Sequence, residues 1–424
     1  MRIIDRFLEF LSEKRTRDLL VILVIVSFPI LSLFKLYPFE NHFNSIINTA
    51  GDDWTAYANY ASDIRHNGLL MHTTVPGAYN APSGFLYPYF LALCFLIFGE
   101  NTIPVYIIQS LMLGLSVVFV YWAFRDKMRD LTSAFFLGAL ALFAFLDVYK
   151  YYTFRLLSEN LALFAVSLFF LCFVKGFEKN RLTLQLISAI SMGVLILTRP
   201  ISFLFGLLLI VIVITYFFVE KKISKMNLLL FISVLILTAS LLGIRNYLIC
   251  HKFIFLPAQG QSMAYLRIVN PIPESVDLSK INTNFLYTKL HMSQDIAAYA
   301  EYMLQKPLLF LDYFLKKIVF CLGFLQVKVS FYRLRPHWVL MWIGYFTYLF
   351  SCIRNKKRMQ LWEITTHLYI FFHYVPLIAF GQIENYGFRM LLPGISFVLL
   401  FSFLEWDMLR QNILSRRGKL PGKR

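Results

Sequence analysis

Ten apolar runs, each close to the length that crosses a bilayer, dominate this sequence: residues 19–36, 103–124, 131–148, 156–174, 182–198, 201–219, 227–244, 338–353, 364–380 and 390–406. A helix spanning the hydrocarbon needs about 17–25 such residues. A chain carrying ten of them cannot hide its apolar surface in a water-soluble core. Composition agrees, because 58% of the 424 residues are hydrophobic and only 15% are charged, against about 25% charged in soluble domains. The expected fold is an all-α polytopic membrane bundle of about ten transmembrane helices. Two further apolar pieces raise the count to twelve if they cross as a pair. Residues 87–99 are short for a span, and residues 308–326 carry Asp312, Lys316 and Lys317.

The net charge of +17 would suit a nucleic-acid partner if it formed one continuous stripe. Instead the basic residues fall in short clusters between apolar runs, at 2–17, 125–129, 175–181, 221–225, 354–358 and 410–424. This is how topology is encoded, with Lys and Arg retained on the cytoplasmic side. Ten spans put all six clusters on one side. Segment 308–326 is therefore expected as an amphipathic helix in the outer interface, its lysines snorkelling to water. Both termini, 1–18 and 407–424, are expected in the cytoplasm, and two large loops, 37–102 and 245–337, outside. The first apolar run lacks a small-residue cleavage pattern and reads as an anchor. The five cysteines (Cys94, Cys172, Cys250, Cys321, Cys352) are never closely spaced, so neither a disulfide framework nor a metal knuckle is expected.

Ionisable residues avoid the middle of the spans, where pumps and transporters keep them; only His367 and His373 come near. They crowd the outer helix ends instead: Asp52, Asp53, Lys150, Arg155, Glu159, Arg199, Arg245, Glu384 and Arg389. That distribution suits chemistry at the outer membrane–water boundary, on a substrate with a polar head and a lipid tail. In the first loop, 54–67 reads as a helix stopped by Gly68, and residues 75–88 form a Pro/Gly turn. One of Asp52 and Asp53 can cap that helix and complement its positive end. The second is then left for a catalytic role. Glu159 can serve the dipole of its own span, and Arg199 and Arg245 can anchor helix ends at the interface. His66 and His72 share a loop without zinc spacing.

Several segments, taken together and in order, resemble the GT-C superfamily of lipid-phosphate-sugar-dependent glycosyltransferases. The nearest group is the bacterial one similar to dolichyl-phosphate-mannose–protein mannosyltransferases and to the aminoarabinose transferases of lipid A. The segments are GDDWTAYANYASDIRHNGLL, APSGFLYPYFLALCFLIFG, LLSENLALF, LTRPISFLF, IRNYLICHKFIFLPAQGQSMAYL and YGFRMLLPGISFVLL. The resemblance implies a GT-C-like bundle with its active site at the extracytoplasmic face of a bacterial inner membrane. It implies an inverting transfer of sugar from an undecaprenyl- or dolichyl-phosphate donor to an envelope lipid, glycan or protein. By its distance from Tyr57, Asp53 matches the family's catalytic aspartate, with Asp52 the close alternative.

An aspartate so placed takes the acceptor's proton as general base. The departing polyprenyl phosphate is a stable anion that needs cations rather than an acid, and arginine suits that task. Arg245 is expected first in this role, then Arg389, with Arg155 and Lys150 behind. Tyr57, Glu159, Arg199, Asn246, Tyr247 and Glu384 are expected in support. No cofactor is required, a divalent metal being left open, and no nucleic acid is expected as partner. The sequence departs from aminoarabinose transferases in lacking a lysine before the Pro-rich turn, and from protein mannosyltransferases in having Asp-Asp for Asp-Glu. Two rivals share much of this pattern: a lipid-linked glycan flippase or transporter, and an envelope polysaccharide polymerase or ligase.

Overall fold

The computed structural model describes residues 13–37, 40–47, 53–70, 86–220, 223–250, 325–328, 331–380 and 385–416, with isolated positions between them. For residues 53, 249–250, 325–328, 331–334, 376–380, 385–391, 412 and 414–416 it describes the backbone alone. The described residues are α-helical almost throughout. Helix α1 (Lys14–Leu36) leads to the short α2 (Phe43–Ile47), then α3 (Asp53–Asn67) and α4 (Leu86–Phe98). Helices α5 (Thr102–Phe124), α6 (Asp130–Phe143), α7 (Glu159–Glu178), α8 (Leu182–Thr198), α9 (Phe203–Glu220) and α10 (Lys225–Ala239) follow. Helix α11 (Leu241–Cys250) precedes a hairpin of β1 (Leu325–Lys328) and β2 (Phe331–Leu334), and α12 (Pro336–Arg354), α13 (Leu361–Phe380) and α14 (Asn385–Arg416) close the chain.

Every predicted span is helical. By length and apolarity α1, α5, α6 with its continuation to Tyr149, α7, α9 and α14 each suffice to cross a membrane, and α10 with α11, bent by 45°, makes a seventh if the pair is one broken span. The other three expected spans are α8, α12 and α13. The chain is a multi-pass membrane protein whose described residues are helical apart from the hairpin. Helix α7 packs against α8 and α5, α1 lies on α5, α10 on α8, and α12 on α14. Aromatic side chains fill the seams between them; Phe170 meets Phe397 with ring centres 4.2 Å apart. A second, smaller core forms where α3 lies on α4, through Tyr57, Ala58, Ala61, Tyr87, Leu91 and Phe95.

The basic clusters gather at one end of this bundle. Arg17 pairs with Asp130, Lys127 with Glu178, and Lys175 with Asp126 at 2.7 Å. Arg358 reaches Glu220 at 2.7 Å, and Asn227 lies 3.5 Å from Asn180. Alternating helix directions carry α3, α4, α11 and the start of α12 to the other end.

Two local expectations change. Arg245 was expected at the opening of a loop, but it sits inside α11. The region from 407 was expected as a basic tail, yet α14 continues to Arg416. Asp407 explains this: it is 5% exposed and accepts a 2.6 Å hydrogen bond from Thr132 Oγ1, which anchors the helix well past the apolar run. In segment 308–326, expected as an amphipathic helix, the described positions 308, 311, 315, 318 and 319 are helical, and its last two residues are strand, with Leu325 opposite Leu334 and Gln326 opposite Arg333. Alternating Leu-Gln-Val-Lys and Phe-Tyr-Arg-Leu suits a pleated pair better than a helix face. Most of the rest of that segment lies outside the described residues.

Candidate functional site

Of the two first-loop acids, Asp53 stands in the first turn of helix α3. The helix begins at Asp53, and Asp52 lies outside the described residues. Its far end behaves as Gly68 predicts: the glycine adopts φ 90°, the left-handed conformation that closes helices. On the inner face Tyr57 is 5% exposed and meets Tyr87 of α4 edge-on, with ring centres 5.1 Å apart. Tyr87 donates a 2.7 Å hydrogen bond to Gln109 Oε1, and Gln109 Nε2 in turn donates to the carbonyls of Thr153 and Arg155 at 2.8 and 3.0 Å. A buried chain of polar contacts thus ties α3 through α4 and α5 to the segment between α6 and α7.

Two of the expected phosphate-binding arginines border α3. Arg155 is exposed and lies 5.8 Å from the ring centre of Trp54, one residue after Asp53. Arg245 is 5% exposed. Its Nη2 donates to the Leu70 carbonyl at 3.2 Å, and its Nη1 to Asn246 Oδ1 at 2.9 Å. Its guanidinium also hydrogen-bonds the Tyr89 hydroxyl. Burial raises the Tyr60 hydroxyl pKa, Asp63 adds to the rise, and Arg245 opposes it. Arg245 therefore fastens α11 to the end of the first loop and to α4. Trp54 and Tyr60 are separated by about 9 Å along α3, at 1.5 Å per residue, so the two arginines sit at different heights on that helix.

Glu159 and Arg199 come together in a buried ion pair of 2.7 Å, with side chains 1% and 11% exposed. Arg199 is thus an internal partner rather than an interface anchor. Lys150 is exposed and lies 5.4 Å from the ring centre of Tyr151. Tyr247 is exposed, and Asn246 is buried beside Arg245. Arg389 lies in α14, where only the backbone is described, and Glu384 lies outside the described residues. His367 Nδ1 lies 3.2 Å from the Tyr345 hydroxyl, and its ring stacks on Phe401, while His373 stacks on Tyr369. Among the described residues, no three His, Cys, Asp or Glu side chains converge as metal ligands.

A second ion pair at this end is absent from the sequence-derived set. Past Phe143 the chain widens into a single π-helical turn, Ala144–Tyr149, a local insertion that often marks functional positions. It presents Asp147, 4% exposed, to Arg335 at 2.6 Å and to His337 at 3.6 Å. Trp338 Nε1 donates to the other Asp147 oxygen at 3.4 Å. Burial lowers the Arg335 pKa, with Asp147 opposing. The signal was available, since Asp147 is a carboxylate inside the last turn of an apolar run and such residues are functional by default.

Part of the chain is similar to a known family. Residues 81–242 match the family model described as dolichyl-phosphate-mannose-protein mannosyltransferase. The chain resembles that family. The matched stretch begins ahead of α4 and runs into α11, so it includes Tyr87, Asp147, Glu159 and Arg199 but not Asp53 or Arg245. A comparison with curated proteins finds no match. Among solved structures, the archaeal oligosaccharyltransferase AglB from Archaeoglobus fulgidus, in complex with an inhibitory peptide and a dolichol-phosphate, is similar at 12% identity and a TM-score of 0.45. The apo oligosaccharyltransferase of the same organism gives 16% and 0.47. Each alignment covers 95% of this chain and 52% of the other, so the chain spans about half the length of these relatives. Likeness at this level carries no weight for the chemistry of the chain.

Proposed function

We propose that this protein is an inverting glycosyltransferase that takes a sugar from a polyprenyl-phosphate donor at the extracytoplasmic face of a bacterial inner membrane. Its acceptor is an envelope lipid, glycan or protein, and both termini face the cytoplasm. The observation that carries the reading is the mannosyltransferase-family match over residues 81–242; it is supported by Arg155 beside Trp54 and Arg245 near Leu70, which border the helix that Asp53 begins.

In the reaction, Asp53 accepts the proton of an acceptor hydroxyl as its oxygen bonds the anomeric carbon. The bond from that carbon to the phosphate oxygen breaks on the opposite face, and polyprenyl phosphate leaves with the electron pair. Asp53 stands at the amino end of α3, where the helix dipole favours negative charge. Asp52 is the alternative base. Arg245 binds the phosphate, assisted by Arg389, Arg155 and Lys150. Such fixed cations favour the transition state because negative charge grows there. Tyr57 and the Glu159–Arg199 pair hold the walls of the site.

The test is transfer from a polyprenyl-phosphate monosaccharide by purified protein, with a membrane extract as acceptor and neither ATP nor an ion gradient. Asp53→Asn is expected to lower the rate by about 100-fold or more, the worth of a general base, while leaving bound donor unchanged. Full activity in that variant removes Asp53 from the role. Donor that is moved between leaflets but never cleaved favours a flippase instead.

A further inference from the structure

The end of the bundle that gathers the basic clusters holds a cavity unrelated to the site above. It opens between the end of α5, the 3-10 turn Arg125–Lys127 and the tight turn joining α7 to α8, with a volume of about 300 Å³. Trp122 and Leu171 line it with apolar surface, and both are partly buried. Its polar lining is strongly one-signed. Arg125, Lys175, Lys179 and Arg181 contribute cations, against the single carboxylate of Asp126.

That carboxylate is already engaged, with Lys175 at 2.7 Å and Arg125 at 3.6 Å. The nearby Glu178 is taken by Lys127. Among the described residues no carboxylate pairs with Lys179 or Arg181, so these two carry uncompensated charge toward the cavity. The turn that presents them is firmly built. Asn180 takes φ 47°, Arg181 N–H donates to the Gly176 carbonyl at 2.9 Å, and Gln185 Nε2 donates to the same carbonyl at 3.2 Å.

We propose that this cavity binds the phosphodiester headgroup of an anionic membrane phospholipid, in the leaflet opposite the glycosyl-transfer site. Its geometry favours a lipid over a free anion. The cations sit at helix ends where the headgroup layer lies, and an indole, which prefers that layer, forms part of the wall. Leu184 and Ile187, about one turn apart on α8 and both partly buried, offer apolar surface beside the cavity for an acyl chain. Basic pockets between transmembrane helices bind such headgroups on the same physical terms.

The test uses the full chain purified in neutral detergent and measures its thermal unfolding with added phosphatidylglycerol, phosphatidylcholine or inorganic phosphate. Phosphatidylglycerol is expected to raise the melting temperature, the other two not. Lys179→Gln with Arg181→Gln changes exposed side chains and should leave the lipid-free melting temperature as it was. In that variant the apparent affinity for phosphatidylglycerol is expected to fall about thirtyfold, the worth of two cations at a charged surface. Arg354→Gln with Lys356→Gln, an equal loss of charge at the same end, should keep the full effect. The proposal is overturned if phosphatidylglycerol stabilises nothing, if inorganic phosphate stabilises as much, or if the two double variants respond alike.

Discussion

Arginine is the residue type on which this site turns, and each arginine has a different task. Arg199 is locked to Glu159 within the protein. Losing one partner of a buried pair leaves the other charge uncompensated, at a cost of about 3–5 kcal/mol, whereas replacing both can be neutral. Glu159→Leu alone is therefore expected to destabilise by about 3 kcal/mol or more, and Glu159→Leu with Arg199→Met to recover most of that loss. Equilibrium unfolding in detergent checks both, and equal losses in the single and double variants would deny the coupling. Arg245 is buried yet holds Leu70 and Tyr89 at the mouth of the first loop. Arg245→Lys keeps the charge but loses the fork that grips a phosphate. It is expected to weaken donor binding about tenfold, one lost charge-assisted hydrogen bond, as read by a donor titration. Unchanged affinity would assign Arg245 a purely structural task. The sequence shows that these residues lie at helix ends, but not which ones meet. Glu159 and Arg199 lie 40 positions apart, and Asp147 and Arg335 lie 188 apart, so only the packing of α7, α8 and α12 could reveal the pairs.

The helices themselves were far easier to read. Helix α8 spans Leu182–Thr198, the predicted bounds, because Arg181 ahead and Arg199-Pro200 behind punctuate the apolar run. Helix α3 starts one residue before its expected position and stops where glycine signals. Departures from regularity escaped notice. The π turn at Ala144–Tyr149 and the 45° bend between α10 and α11 keep the apolar period that surrounds them, so composition alone reads straight through. The hairpin at 325–334 was missed because its strands are four residues long, too short for alternation to outweigh a neighbouring apolar run. Helix contacts also rest on small residues. A Cβ added at Gly193 of α8 would stand 2.5 Å from both Thr238 Cβ and Cγ2 on α10. Thr238 is β-branched and stiff at χ1, so it cannot swing clear. Gly193→Ala is expected to destabilise by about 1–3 kcal/mol as an overpacked contact. A melting temperature equal to that of the parent protein would show that α8 and α10 can part without penalty.

At the scale of the whole molecule, the two ends of the bundle are chemically unlike. One end collects cations from several separated segments and ties them with pairs such as Lys175–Asp126. The other collects buried ion pairs, a tyrosine-lined helix and the start of α3. This polarity was legible in the sequence, since basic clusters alternate with apolar runs. Everything proposed about sugar transfer requires the start of α3 and Arg245 to face the extracytoplasmic side, away from the basic end. The direct measurement is labelling of single cysteines in a cysteine-free background, with a membrane-impermeant maleimide on intact cells. Cysteine placed at Trp54 and at Tyr247 is expected to react without permeabilisation, and cysteine at Lys179 only after it. Labelling of Lys179 but not Trp54 in intact cells, or of Trp54 and Tyr247 from opposite sides, would contradict a shared outer active site.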